Sequence, residues 1–243
     1  MTDSRRDSLS AALSAAQTRV ADATRAAGRT DGDVTLLVVT KFFPASDVVH
    51  LLDLGVREVG ESREPEASRK LVEVSADRPG VLFDADMIGT VQRKKARSVA
   101  RWARRVHSVD SLDLIDALGG AAARCRDEGE RTSHLGVLLQ LSLDGDPSRG
   151  GLVEADLADA ADRVASHDAL RLDGLMVIAP LDIAADAAML QAAAVRERFV
   201  ADHPEAREFS AGMSGDLEEA IAAGSTCVRV GTAIMGPRPI LSL

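Results

Sequence analysis

Aromatic residues are scarce in this sequence, and tyrosine is absent. Aromatics make up 2% of the 243 residues, as five phenylalanines and one tryptophan. The lack of tyrosine excludes any reaction in which a phenol hydroxyl moves a proton. Because 46% of the chain is nevertheless apolar, we expect a sizeable core built from Leu, Val, Ile and Ala.

Cysteine and long apolar runs are also rare. Cys125 and Cys227 are the only cysteines, and no CxxC occurs, so a disulfide framework is excluded. This usage fits a reducing compartment, and we expect a cytoplasmic protein. No run of about 18 apolar residues is present, which argues against a membrane span. The N-terminal stretch carries Asp3, Asp7 and Asp22 and lacks the continuous apolar segment of a signal peptide.

The formal net charge of -9 argues against a nucleic-acid-binding protein. If the chain did bind nucleic acid, the basic run RKKARSVARWARR at 93–105 would be the first candidate for the binding surface, with Trp102 stacking on a base. Apolar residues such as Ala96, Val99 and Ala100 interrupt the run at helical spacing. The pattern therefore favours a solvated helix whose inner face packs on the protein, and we expect no nucleic-acid partner.

Strand-like and helix-like segments alternate from residue 34 onward. Strands are predicted at 34–40, 56–59, 81–88, 105–109, 135–141, 172–177 and 227–230, and a short strand begins at 208–209. Helices are predicted at 45–54, 64–74, 92–101, 111–127, 154–166, 184–202 and 217–223. This alternation predicts an α/β protein, a (β/α)8 barrel forming a single domain over 1–243. The alternative is a doubly wound open sheet, but no GxGxxG or GxxxxGK[ST] follows a strand.

One further helix precedes the barrel. Leu9, Leu13, Ala16 and Val20 recur at helical spacing. They predict an amphipathic helix over residues 5–27 that ends at Gly28 and packs on the barrel, so that residues 1–28 form an N-terminal addition.

The first predicted strand ends on a lysine. The sequence VTLLVVTK at 34–41 is typical of a strand buried on both faces, and Lys41 stands where the next loop begins. Reactive groups of such barrels project from the carboxyl ends of the strands. The alternative is a lysine that has left the strand and points into water.

Two stretches near the end of the chain have features of an anion-binding site. Ser214 follows a short strand and precedes an apolar-periodic helix, and Gly231 and Thr232 follow the last strand. Free backbone N–H groups at such positions can hold a phosphate. A plain N-cap serine and a tight turn would explain the same residues.

Other polar residues suggest weaker candidates. Asp84 and Asp86 share one face of a strand, as a metal or acid–base pair would. With no histidine beside them in sequence, we interpret both as polar strand-end residues, and His107 as a structural histidine. The five histidines show no HxxxH spacing, and we predict no metal site.

Several motifs resemble the pyridoxal phosphate homeostasis proteins of the YggS/PROSC type. They are VVTK at 38–41, GES at 60–62, IGTVQRKK at 88–95, HSVDS at 107–111, DGLM at 173–176, GMSGDLEEAIAAGST at 212–226 and VRVGTAIMG at 228–236. The resemblance covers about residues 34 to 237. It implies a barrel like the N-terminal domain of alanine racemase, without the second domain of that enzyme.

The resemblance also implies a cofactor and its ligands. Lys41 would form a Schiff base with pyridoxal 5'-phosphate, and Arg229 would face the pyridine nitrogen. The phosphate would be held by Ser214, Gly231 and Thr232, while Met213 and Ser62 would line the pocket. An arginine cannot accept a proton from the ring, so the ring should be a weak electron sink.

Two functions fit this resemblance. The family is held to have no established catalytic activity, and the tyrosine that alanine racemase takes from its other domain has no counterpart here. We therefore expect a monomeric carrier that buffers pyridoxal phosphate, with apo-enzymes as possible recipients and no catalytic residue. The alternative is a small enzyme such as a racemase, with its second base among Lys94, Lys95 and Asp86.

The chain departs from the family pattern at a few positions. Where this chain has Ser62 the family usually has Asn, and where it has Arg63 the family often has Tyr. Asp86 stands where the family usually has His, and Lys94-Lys95 stands where it usually has Asn-Lys. We expect these changes to cluster near the mouth of the pocket, where they would alter its polarity.

Overall fold

The fold was analysed in a computed structural model of the chain. It describes residues 2–146, 149–180 and 182–238, with the side chains of Thr2 and Asp3 left out. The predicted domain of 1–243 therefore extends beyond the described residues at both ends.

The described residues contain eight strands that form a closed parallel barrel. The strands are β1 Thr35–Val39, β2 Glu58–Glu61, β3 Asp84–Met87, β4 Ala103–Val109, β5 Leu135–Leu141, β6 Leu170–Val177, β7 Glu208–Ser210 and β8 Cys227–Val230. Each strand pairs with the next along the chain, and β8 closes the barrel on β1 with Val38 opposite Val230. The predicted (β/α)8 barrel is confirmed.

Helices cover the outside of this barrel. They are α1 Thr2–Ala26, α2 Ala45–Asp53, α3 Glu66–Asp77, α4 Ala96–Trp102, α5 Leu112–Asp127, α6 Leu157–Ala165, α7 Ala185–Asp202, α8 Leu217–Ala222 and α9 Thr232–Met235. Short 3₁₀ turns at Arg93–Lys95 and Glu154–Asp156 precede α4 and α6. Helix α9 was not predicted, because a single helical turn is too short to show a period.

Strand boundaries differ from the predictions where charged residues enter the sheet. β4 begins at Ala103 rather than at Arg105, so that Arg104 and Arg105 both lie in the strand. Their guanidinium groups are paired there with Asp86 and Asp173, respectively. Charged residues are normally read as strand ends, and only the neighbouring carboxylates make these arginines acceptable within the sheet.

The core is aliphatic, as the composition predicted. The largest fully buried side chains are nine leucines with Ile115, Met87 and one aromatic residue, Phe209. Helix α1 buries Leu9, Leu13 and Ala16 against the barrel, which confirms the predicted N-terminal helix. None of the helices in the described ranges is long and apolar enough to cross a lipid bilayer.

The basic run at 93–105 folds as a packed helix followed by a strand. Ala96, Val99 and Ala100 are buried, as the helical spacing predicted. The exposed arginines pair with carboxylates on neighbouring elements, as Arg101 does with Glu130 at 2.9 Å. The positive charge of the run is therefore largely compensated.

We expect Gly174→Ala to destabilise the barrel. A Cβ atom on Gly174 would lie 1.9 Å from the carbonyl oxygen of Glu208, and the φ angle of +153° favours glycine. Crowding of two paired strands should cost about 3 kcal/mol of unfolding free energy, measured by urea denaturation.

Gly120→Ala is the matched control for that substitution. Gly120 lies within α5, and an added Cβ would meet no atom within 4 Å. Replacing a helical glycine by alanine should gain up to about 1 kcal/mol. Equal stability of the two variants would show that β6 and β7 can move apart to accept the added methyl group, despite the short distance to Glu208.

Candidate functional site

The predicted site residues follow four strands that are neighbours in the barrel. Ser62 follows β2, Lys41 follows β1, Thr232 follows β8 and Ser214 follows β7, and these strands pair in that order. The carboxyl ends of parallel strands share one rim. The chain thus gathers residues from positions 41 to 232 on one side of that rim.

Lys41 is half-buried and has no polar partner among the described residues. Its Nζ lies 5.8 Å from the centroid of the Phe42 ring. Burial lowers the pKa of Lys41, the charges of Arg238 and Arg229 lower it further, and Glu61 opposes them. Lys41 therefore loses its proton to form the neutral amine more easily than an exposed lysine does.

A cavity of about 360 Å³ opens beside this lysine. Of the predicted residues, Lys41 and Ser62 line the cavity, whereas the others lie outside its described wall. Phe42 forms part of the wall with a φ angle of +71°, a conformation that bulky residues rarely adopt outside functional sites. The guanidinium group of Arg238 lies over this ring in a cation–π contact, with its carbon 3.7 Å from the ring centroid.

A buried ion pair supports the end of β1. Lys70 of α3 donates to Glu61 Oε1 at 2.7 Å and to the carbonyl oxygen of Thr40 at 2.9 Å. The hydroxyl of Thr40 donates to the same Glu61 oxygen at 2.6 Å. These bonds fix the backbone immediately before Lys41, and they commit the amine of Lys70 to a structural contact. Sequence reasoning missed all three residues.

The loops after β7 and β8 leave several donors free. Within the described residues, no hydrogen bond is made by the N–H groups of Ser214 and Gly215 or by the hydroxyls of Ser214 and Thr232. Gly231 packs against β1, where an added Cβ would lie 3.3 Å from the Cβ of Val39. A side chain at Gly231 would therefore push the loop after β8 away from β1. The donors together suit an anion.

Helix α1 holds both of these loops. Arg19 Nη1 donates to the carbonyl oxygen of Ser214 at 2.8 Å. Arg5 Nη2 donates to the carbonyl oxygen of Met235, at the end of α9, at 3.0 Å. No motif in the sequence indicated this contribution of the N-terminal helix, because both acceptors are backbone oxygens.

Arg229 is buried inside the barrel without a carboxylate beside it. Its side chain donates from Nη1 to Ser210 Oγ at 2.6 Å and from Nη2 to the carbonyl oxygen of Val177 at 2.9 Å. No ion pair joins it to any residue of the described ranges. Isolated buried charge is unfavourable, so this guanidinium is disposed to bind an additional acceptor or anion.

The prediction that Asp86 lies at the pocket mouth was wrong. Asp86 is buried within the barrel, where Arg104 binds both of its oxygens, at 2.9 and 2.7 Å. His107 Nε2 lies 3.1 Å from Asp86 Oδ2, so Asp86 does have a histidine partner that the sequence separation concealed. His107 itself lies within β4 rather than at a strand end. Asp84 is more exposed and lies 3.6 Å from Arg104.

The electrostatics of Asp86 leave it ionised. Burial raises the pKa of Asp86, but the hydrogen bonds from His107 and Arg104 outweigh burial and hold that pKa at about 2. Asp86 is thus a permanently charged acceptor near neutral pH. This argues against a second acid–base group at this position.

A second cavity of about 570 Å³ adjoins the first and shares Ser62 and Arg63 with it. Lys95 lines this second cavity, and Lys94 lines neither of the two. Among the divergent positions, therefore, Ser62 and Arg63 do lie near the opening, as predicted, whereas Asp86 and Lys94 do not.

We expect Lys70→Met to destabilise the protein by about 3–5 kcal/mol, because the carboxylate of Glu61 would remain buried without an opposite charge. Denaturant unfolding measures the loss. In Glu61→Gln/Lys70→Met, which removes both charges, much of the stability should return. Arg198→Met is the control, since it breaks the exposed pair with Glu154 and should cost at most about 1 kcal/mol. A loss for Lys70→Met no larger than the control would contradict the support assigned to this pair.

Comparison with known proteins agrees with the geometry. A family model described as alanine racemase, N-terminal domain, matches residues 13–239. The pyridoxal phosphate homeostasis protein of Mycobacterium bovis is 46% identical over 250 residues, covering 98% of this chain and 96% of the relative. The protein of the same name from Corynebacterium glutamicum is 47% identical over 213 residues, covering 87% and 94%.

A solved structure is similar as well. PipY of Synechococcus elongatus, solved with PLP bound, superposes with a TM-score of 0.75 at 30% identity, covering 89% of this chain and all 100% of PipY. The similarity to these relatives extends over nearly the whole length of each. The resemblance seen in the motifs is confirmed, and the chain belongs to the family of pyridoxal phosphate homeostasis proteins.

Proposed function

We propose that this chain binds pyridoxal 5'-phosphate at the rim around Lys41 and buffers or carries it without turning over amino acids. The observation that carries the proposal is the free, half-buried Lys41 on a rim that also presents unpaired anion donors. The name of the relatives and the PLP bound to PipY support the same ligand.

Lys41 is the residue suited to hold the aldehyde. A Schiff base needs a neutral amine, and the lowered pKa of Lys41 makes that form accessible. The aldehyde carbon of the cofactor condenses with this amine, a C=N bond forms and one water leaves. Lys70 lines the same cavity, but its amine is bound to Glu61 and to the backbone.

The phosphate fits the loops after β7 and β8. The free N–H groups of Ser214 and Gly215, and the hydroxyls of Ser214 and Thr232, would donate to its oxygens. Gly231 would allow the backbone to approach closely. Met213 and Ser62 would flank the cofactor.

Arg229 would face the pyridine nitrogen. A guanidinium only donates hydrogen bonds, so the nitrogen would accept from it and stay unprotonated. An unprotonated ring withdraws electrons weakly, which suits storage of the cofactor better than removal of a proton from an amino acid.

The racemase alternative lacks a well-placed second base. Asp86 is locked by Arg104 and His107 below the rim, Lys95 lies in the neighbouring cavity, and tyrosine is absent. We therefore favour the carrier. Transfer to apo-enzymes, a monomeric state and a cytoplasmic location, which fits the two free cysteines, complete the proposal.

The first test identifies the lysine. The protein is mixed with pyridoxal 5'-phosphate, reduced with borohydride, and its peptides are mapped by mass. Because the chain has only four lysines, at positions 41, 70, 94 and 95, the assignment is direct. We expect the label on Lys41, its loss in Lys41→Ala and its retention in Lys94→Ala. A label that persists in Lys41→Ala would move the site to another lysine.

The second test concerns the phosphate. Arg19→Ala removes the bond to the Ser214 carbonyl and the ion pair with Glu218, so the loop after β7 should loosen. We expect about a tenfold weaker affinity for pyridoxal 5'-phosphate by absorbance titration. Affinity for pyridoxal, which has no phosphate, should change little.

Arg25→Ala is the control for this experiment, since Arg25 lies on the same helix and, among the described residues, its side chain pairs only with Asp22 and its own helix backbone. It should bind both compounds as the wild type does. An equal loss for both compounds in Arg19→Ala would show that the arginine acts on overall folding rather than on the phosphate loop.

A further inference from the structure

A continuous line of hydrogen bonds crosses the barrel interior and ends on Arg229. Arg229 Nη1 donates to Ser210 Oγ at 2.6 Å, and Ser210 Oγ lies 2.9 Å from His107 Nδ1. The other ring nitrogen of His107 lies 3.1 Å from Asp86 Oδ2, and Arg104 binds Asp86. The three connecting residues are at most 2% exposed and lie on β7, β4 and β3.

The chemistry of the groups assigns the protons along this line. A guanidinium can only donate and an ionised carboxylate can only accept, so Ser210 accepts from Arg229 and His107 Nε2 donates to Asp86. A doubly protonated His107 would make Ser210 accept from both sides, but burial lowers the pKa of His107 and favours the neutral ring. In the neutral ring Nδ1 carries no proton, and the Ser210 hydroxyl donates to it.

The line also joins Arg229 to a carboxylate through hydrogen bonds. Asp86 is reached through the imidazole and the hydroxyl, and its carboxylate is held rigidly by Arg104, which Glu58 also binds.

We propose that Asp86, His107 and Ser210 form a positioning relay that fixes Arg229 as a hydrogen-bond donor to the ring nitrogen of pyridoxal 5'-phosphate. The inference rests on the proposed function. With its Nη1 bound to Ser210, the guanidinium keeps one orientation and does not have to be ordered again when the ligand binds. The relay residues do not touch the ligand and act through Arg229.

The binding test uses two ligands that differ only at the ring nitrogen. One is pyridoxal 5'-phosphate, and the other is a deaza analogue in which a CH group replaces that nitrogen. In Ser210→Ala we expect about tenfold weaker binding of pyridoxal 5'-phosphate, the effect of one charge-assisted hydrogen bond, and unchanged binding of the analogue. A residue that merely supports the fold would affect both ligands equally.

Ser225→Ala is the matched control. Ser225 is also a fully buried serine, but its hydroxyl donates to backbone carbonyl oxygens between β7 and β8, outside the relay. This variant should lower stability without changing the ratio of the two affinities.

A second readout needs no ligand. Side-chain ¹⁵N NMR of the ligand-free protein should show neutral His107 protonated on Nε2. In Asp86→Asn, Arg104 should retain the amide oxygen, so the NH₂ group faces His107 and the proton should move to Nδ1. Ser210 would then accept from both sides, and binding of pyridoxal 5'-phosphate should weaken relative to the analogue.

The outcomes separate this inference from the proposed function. A wild-type protein that binds pyridoxal 5'-phosphate, with an affinity ratio unchanged in Ser210→Ala and Asp86→Asn, would overturn the relay alone. A His107 proton on Nδ1 in the wild type would do the same. A wild-type protein that binds neither ligand would overturn the proposed function, and the relay with it.

Discussion

The closing contact of the barrel, between β8 and β1, is the constraint on which the site depends. Val38 stands opposite Val230, so the residue after the first strand comes beside the residues that follow the last one. Lys41 and Thr232 are 191 positions apart in sequence, yet they share one rim because the sheet has no edge. An open sheet with the same strands would leave these two residues at opposite edges.

Charge placement below the rim follows from this closure. A closed parallel barrel buries polar groups that enter its interior, and each must find a partner there. Two such networks lie close to the site: Lys70 with Glu61, next to the backbone before Lys41, and Asp86 with His107, which Ser210 joins to Arg229. Among the described residues, neither network places a carboxylate in an ion pair with Lys41 or with Arg229.

The sequence predicted the barrel and the strand-end position of Lys41, because both depend on local periodicity. The strand–helix pattern at Ser214 and at Gly231 and Thr232 indicated loops that could bind an anion, with a plain N-cap as the alternative. Only the resemblance identified that anion as the phosphate of a cofactor, and this assignment stays a prediction. Contacts such as Asp86 to His107 escaped prediction, because they depend on strand register and on the depth of a side chain within a tilted barrel. The role of Lys70 was not predicted for a related reason, since only the packing of α3 brings its amine within hydrogen-bond distance of the Thr40 carbonyl oxygen.

The hold of α1 on the last loops has a consequence for synthesis of the protein. Arg5 binds the carbonyl oxygen of Met235, 230 positions later, and Arg19 binds that of Ser214. Helix α1 is therefore translated long before the loops that it contacts, and β1 long before its partner β8. On the ribosome the rim can assemble only after β8 has emerged, so a shorter nascent chain should not bind the ligand.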